Sequence, residues 1–149
     1  MDHLLKEVEH NISNASAIAP NISKATVGWQ LYHILVTINV ISSALQNSNP
    51  KDYKRDFNLM RSILFTFNTI PRGKAKAPKI VRPPEVIQED KIREQIVTAK
   101  ESVKTMNSLD KNAHFKHPYF GVLNVKRTEY FLKMHTNHHL KIVRDILKA

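Results

Sequence analysis

Apolar residues recur at helical spacing along most of this chain. The clearest run lies between Lys24 and Gln46, where Val27, Leu31, Ile34, Ile38, Ile41 and Leu45 step by three or four residues. That period places them on one face of an α-helix. The segment is apolar around much of its circumference, as a central bundle helix is, and Ser23 stands at the expected N-cap. Before it, Leu4, Leu5, Val8 and Ile12 predict a short helix over residues 2–13, followed by a polar connection from Asn11 to Asn21. Asn49-Pro50 predicts the start of a third helix, with Asn as N-cap and Pro at the first helical position. Tyr53, Phe57, Met60, Ile63, Leu64 and Phe67 continue it toward Ile70-Pro71, where the proline ends it. Glu85 to Leu109 predicts a fourth helix, more polar and placed at the periphery, with Ile87, Ile92, Ile96, Val97, Val103 and Met106 on its apolar side. Asn124 caps a last amphipathic helix running to Leu147.

Two stretches break the period. Pro71 to Pro84 holds four prolines, one glycine and a run of basic residues, and reads as a long crossover loop of a kind that is often functional. Lys111 to Leu123 contains HFKHPYFGVL, where His117-Pro118 and Gly121 predict a turn and Phe115, Tyr119 and Phe120 need packing partners. Four long helices and one crossover predict an all-α fold, a four-helix bundle occupying residues 1–149 as one domain.

The last helix carries the candidate chemistry. Leu132, His135, His139, Ile142 and Ile146 form its core-facing stripe, so His135 and His139 stack one turn apart, roughly 6 Å from each other. Two readings fit such a pair. The rings are hydrogen-bonded core residues, or they are neutral imidazoles sharing one metal ion. A third ligand would come from another helix, and the strongly apolar second helix carries one histidine, His33. Thr136 and Asn137 follow His135, so the glutamate of the H-E-x-x-H metalloproteases is absent and that reaction is not expected. There are no cysteines, which excludes disulfides and thiolate ligands and leaves histidine and oxygen donors.

Charge widens the set of partners. Lys+Arg number 23 against 13 Asp+Glu, a formal net charge of +10. Arg61, Arg72, Lys74, Lys76, Lys79 and Arg82 all fall in a stretch, Phe57 to Pro84, without one acidic residue. A solvated basic loop accounts for this; so does a site where Arg72, Lys74 or Lys76 meets a carboxylate or phosphate. No nucleic-acid motif accompanies the charge and the basic stretch has little aromatic interleaving, so nucleic acid ranks last as a partner. The opening MDHLLKEVEH has early acidic residues and no apolar core of signal length, so a cytoplasmic protein is expected. Leu31 to Leu45 is broken by His33, Thr37, Asn39 and two serines and predicts a buried helix, not a membrane span.

Trp29-x-x-x-His33 on the second helix, HPYFG at His117 to Gly121, HTNHH at His135 to His139 and the PRG-K loop at Pro71 to Lys74 together resemble the DinB/YfiT-like superfamily, from about Ser23 to Leu147. The resemblance implies a bundle with up-down-down-up helices and a divalent metal, zinc or nickel, held by His33, His135 and His139. It also implies an open coordination position for water or substrate. Relatives of this kind include thiol transferases that join a low-molecular-weight thiol to an electrophile, and metal-dependent hydrolases; family membership alone does not fix the chemistry. On this reading the substrate is a small molecule, a thiol or an anionic compound. His138 and Trp29 flank the ligands and His117 stands at the mouth of the site. No carboxylate stands out as a general base, and the catalytic residues stay unassigned. A non-catalytic metal-binding or interaction protein, with Phe and Tyr residues outside the core stripes forming a homodimer interface, is the alternative.

Overall fold

The structure, a computed structural model, describes residues 1–73, 77–84 and 87–149. Among these are five α-helices: α1 (Asp2–His10), α2 (Val27–Gln46), α3 (Leu59–Thr66), α4 (Glu89–Ser108) and α5 (Val125–Ile146). Two short strands, β1 (His114–His117) and β2 (Gly121–Asn124), pair antiparallel just before α5. The fold is therefore mostly helical, with a small β-ribbon.

All six residues of the predicted α2 stripe are buried, and Leu4, Leu5, Val8 and Ile12 close one end of the same core. The start of α2 differs from expectation. Thr26, not Ser23, caps it, its Oγ1 accepting the Trp29 N–H at 3.1 Å. Ser23 instead accepts the Ala25 N–H and braces the Gln30 side chain, at 3.3 Å from Gln30 Nε2. Helix α4 is not peripheral. It packs along α2, with Ile92, Ile96, Ala99 and Met106 buried, although Val97 is exposed. The polar residues that interrupt the α2 apolar run find partners there: Asn39 Nδ2 donates to Gln95 Oε1 at 2.8 Å, and Ser42 Oγ donates to the Ser102 carbonyl at 3.2 Å.

The third predicted helix is where pattern and structure part. Asn49 does cap a helical turn with Pro50 at its first position, but the turn stops at Asp52. The chain runs non-helically until Asn58 caps the eight-residue α3, accepting the Arg61 N–H at 2.8 Å. The cause lies in Asp56 and Arg61. Arg61 is buried; it donates to the Asp56 carboxylate at 2.7 Å and to the Phe120 carbonyl at 2.7 Å, while Asp56 Oδ2 accepts the Val122 N–H at 2.9 Å. This clamp ties residues 53–58 to the ribbon and prevents one continuous helix. It leaves Phe57, Met60, Ile63 and Phe67 exposed, the reverse of their expected role in a core stripe, while Leu64 of that stripe does pack against the core; Leu59 is exposed as well.

The HPYFG turn closes the ribbon. Gly121 takes a positive φ of 68°, and a Cβ there would lie 2.0 Å from Asp56 Oδ2, so the position needs glycine twice over. Asn124 caps α5 as expected, its Oδ1 accepting the Arg127 N–H. Among the described residues, no helix is long and apolar enough to cross a membrane.

Candidate metal centre

Helix α2 presents Trp29 and His33 one turn apart, and α5 presents His135 and His139 one turn apart. The two helices pack so that the three imidazoles converge. Ring centroids are 5.0 Å apart for His33 and His135, 4.7 Å for His33 and His139, and 4.5 Å for His135 and His139. One nitrogen from each ring lies within 4.8 Å of the other two. Trp29 stacks on His33 at 5.1 Å.

Hydrogen bonds settle which nitrogens are free. His33 Nδ1 lies 2.8 Å from the Val81 carbonyl oxygen, and His139 Nδ1 lies 2.6 Å from Gln30 Oε1. Both oxygens only accept, so both Nδ1 atoms carry the proton and both Nε2 atoms keep a lone pair. Donation of the second ring N–H to an oxygen is the usual support for a metal-ligating histidine. The His135 Nδ1 is shielded from solvent and has no partner among the described residues, an uncommon state for a buried polar atom. Three neutral imidazoles, two with fixed tautomers and one with an unpaired nitrogen, fit a divalent transition metal of the zinc or nickel kind.

Electrostatics keep the cluster neutral. Burial lowers the His33 pKa below its usual 6.5, against a smaller raising effect of the Val81 carbonyl. Burial, then the neighbouring histidines, holds His135 and His139 well below 6.5. Burial takes His117 to about 4. His138 is lowered by burial and by Arg72, against the Ile70 backbone. A histidine depressed in the folded state leaves the unfolded chain holding more protons below pH 6.5. Its contribution is therefore intact above 6.5 and turns against folding as the pH falls through that value. Five such groups act together. The thermal midpoint of metal-free protein should be level from pH 8 to 7 and drop steeply from about pH 6.5 downward; a midpoint unchanged to pH 5 would contradict this charge state.

Together with Trp29, the three histidines line a cavity of about 370 Å³. Its floor follows α2 from His33 through Thr37 and Ile41 to Ala44, its far wall is the ribbon, and Ile70, Pro71, Pro78 and Val81 are among the residues that roof it. His138 lines it and meets His139 edge-on at 5.0 Å. His117 lines it too, stacked on Phe120 at 4.6 Å. Arg72 is exposed and paired with Asp145 at 2.6 Å. Lys74 and Lys76 lie outside the described residues.

Three participants have weak sequence signatures. Gln30 is a buried amide within an apolar helix, and that anomaly marks it. Thr37 follows His33 by one turn on the same face. Val81 contributes only its carbonyl, which no side-chain pattern announces.

Fold and site together define a mostly helical protein with a three-histidine group, His33 and His139 buried and His135 half-buried, able to hold a metal ion. Comparison of the chain with protein-family models, with curated proteins and with solved structures gives no match. The functional reading therefore rests on the site.

Proposed function

We propose that this protein is a metal-dependent enzyme of the DinB-like superfamily, a four-helix bundle variant whose third helix is reduced to α3. His33, His135 and His139 would hold one zinc or nickel ion, acting with a thiol or a water molecule against a small molecule. The observation that carries the reading is the pair of Nδ1–H donations, to Val81 and to Gln30, which leaves two Nε2 lone pairs in a group whose third ring, His135, has an Nδ1 without a partner among the described residues. A bound divalent ion at such a site lowers the pKa of a coordinated water or thiol. The chain's own contribution is support and exclusion. Gln30, itself braced by Ser23, fixes the His139 ring. Trp29 covers His33, and the apolar cavity limits water at the cluster. Val81 both lines the cavity and, through its carbonyl, orients the His33 ring.

The test is elemental analysis of protein purified without a metal-affinity tag. About one equivalent of a divalent transition metal per chain is expected. No metal, before or after incubation with zinc or nickel and desalting, would sink the reading.

One observation favours a second reading, a non-catalytic interaction protein. Phe57, Leu59, Met60, Ile63 and Phe67 are exposed around α3, more apolar surface than one short helix usually presents. A homodimer through this face is compatible with either reading, and analytical ultracentrifugation of Met60→Glu against wild type would reveal it.

A further inference from the structure

The cavity is built for a narrower class of ligand than its three histidines imply. It runs along α2 from His33 to Ala44, about 16 Å at 1.5 Å per residue. Val40, Ile41, Ala44, Phe115, Phe120 and Phe131 make it apolar along that length. Lys116, Tyr119 and His138 also line it; within the apolar stretch two neutral polar groups stand out. The Thr37 hydroxyl is shielded from solvent and has no partner among the described residues, on a residue only 5% exposed. A buried hydroxyl without a hydrogen bond costs about 1–3 kcal/mol, so its place on a cavity wall calls for a partner from outside the chain.

His117 supplies the second group. Its Nδ1 accepts the Tyr119 N–H at 3.1 Å and the Phe120 N–H at 3.2 Å. A nitrogen accepting two amide protons cannot carry its own, so the ring proton is on Nε2. His117 thus offers the cavity a donor, Nε2–H, and no acceptor or base. A ligand atom meeting it must be an acceptor, such as a carbonyl or ether oxygen.

We propose that the cavity binds an elongated, uncharged compound with an apolar body and a carbonyl-type oxygen, positioned by the Thr37 hydroxyl and the His117 Nε2–H so that one end lies against the three histidines. The inference rests on the proposed function only for the role of that end; binding itself needs no metal. Thr37 and His117 are positioning residues, and they set specificity by discriminating an oxygen acceptor from a hydrocarbon, while the apolar lining disfavours a buried anion.

Three compounds of one skeleton test this: benzylacetone (ketone), butylbenzene (hydrocarbon) and hydrocinnamate (anion). Trp29 is the chain's single tryptophan and lines the cavity, so its indole N–H gives one NMR resonance that reports occupancy. Full-length protein as purified is titrated, with metal content measured on the same sample. Benzylacetone should shift the resonance and bind at least roughly threefold more tightly than either analogue, the size of one neutral hydrogen bond. Thr37→Val, which keeps the shape, should weaken benzylacetone roughly 3–10-fold while leaving the thermal midpoint unchanged or higher, since it removes an unpartnered hydroxyl. His117→Asn keeps an acceptor for the two turn amides but removes the Nε2–H, and should weaken it by a similar factor; butylbenzene affinity should stay the same in both variants. Equal or tighter binding of butylbenzene or hydrocinnamate would overturn the proposal, as would unchanged benzylacetone affinity in both variants. Benzylacetone binding in protein that takes up no metal would leave this inference standing and remove the metal-dependent function. Metal uptake without benzylacetone binding would do the opposite.

Discussion

His139→Ala should lose its metal while keeping its helices. Wild-type protein is expected to carry about one equivalent, and the variant less than a tenth of that, with the helical circular-dichroism signal retained. The argument is geometric. His139 contributes one of three nitrogens and is one corner of a nearly equilateral triangle of rings, 4.7 Å from His33 and 4.5 Å from His135. Removing it leaves two ligands on different helices, and a two-ligand site competes poorly with water and buffer. The fold should survive, because Leu132, Leu140, Ile142, Val143 and Ile146 anchor α5 on either side of the histidine. A graded companion separates ligand from support. Gln30→Leu keeps all three nitrogens but releases His139 Nδ1 from its 2.6 Å partner. It should retain metal with affinity lowered roughly 10–100-fold, the usual effect of losing a hydrogen-bond partner behind a ligand. Stoichiometric metal in His139→Ala, or Gln30→Leu losing as much metal as His139→Ala, would refute this division of roles.

The largest effect on stability should come from the clamp under the ribbon. Asp56→Ala leaves Arg61 buried with its charge facing only carbonyls, and strips the Val122 N–H of its acceptor. Breaking a buried ion pair by removing one partner costs about 3–5 kcal/mol. The Asp56 side chain is 33% exposed, so the lower end, about 3 kcal/mol, is expected. Gly121→Ala attacks the same contact from the other side, since its Cβ would meet Asp56 Oδ2 at 2.0 Å. In the wild-type background it should displace the carboxylate and cost a similar amount. In the Asp56→Ala background only the positive-φ cost of about 1–2 kcal/mol remains. Denaturant unfolding of both single variants and the double variant measures this non-additivity; simple additivity would show that Gly121 and Asp56 do not meet. Burial raises the Asp56 pKa, but the Val122 N–H and Arg61 outweigh it and hold it below the usual 3.8. The clamp is thus fully formed above that value and fails as the pH falls through and below it, after the histidines have already weakened the fold.

The clamp also explains why the third helix was the least legible element. Tyr53, Phe57, Met60, Ile63 and Phe67 carry a valid helical period, yet a period says only which residues would share a face if a helix formed. The interruption comes from Arg61 bonding to Phe120 and from Asp56 bonding to Val122, 59 and 66 residues away. The ribbon was missed for a related reason. Each strand has four residues, too few for an alternating pattern to stand out, and the turn signal at His117-Pro118 and Gly121 was the visible part.

The apolar stripes of α1, α2 and α5 were readable because burial on one side imposes a 3.6-residue period that neighbouring residues carry themselves. The phase of His135 and His139 on the α5 stripe was readable on the same ground; His33 was named as the one histidine of the strongly apolar α2, beside its stripe, and the family resemblance joined the three. Tertiary structure alone decided the rest. Val81 reaches His33 across 48 residues and Gln30 reaches His139 across 109, and neither partnership leaves a periodic trace in the chain. Whether Thr37 faced a partner or a cavity, and whether His117 offered a proton or a lone pair, depended on which backbone groups folding brought beside them. A side chain's place on its helix is local and is written in spacing; its protonation and its partners are set by groups distant in sequence, and only packing brings those together.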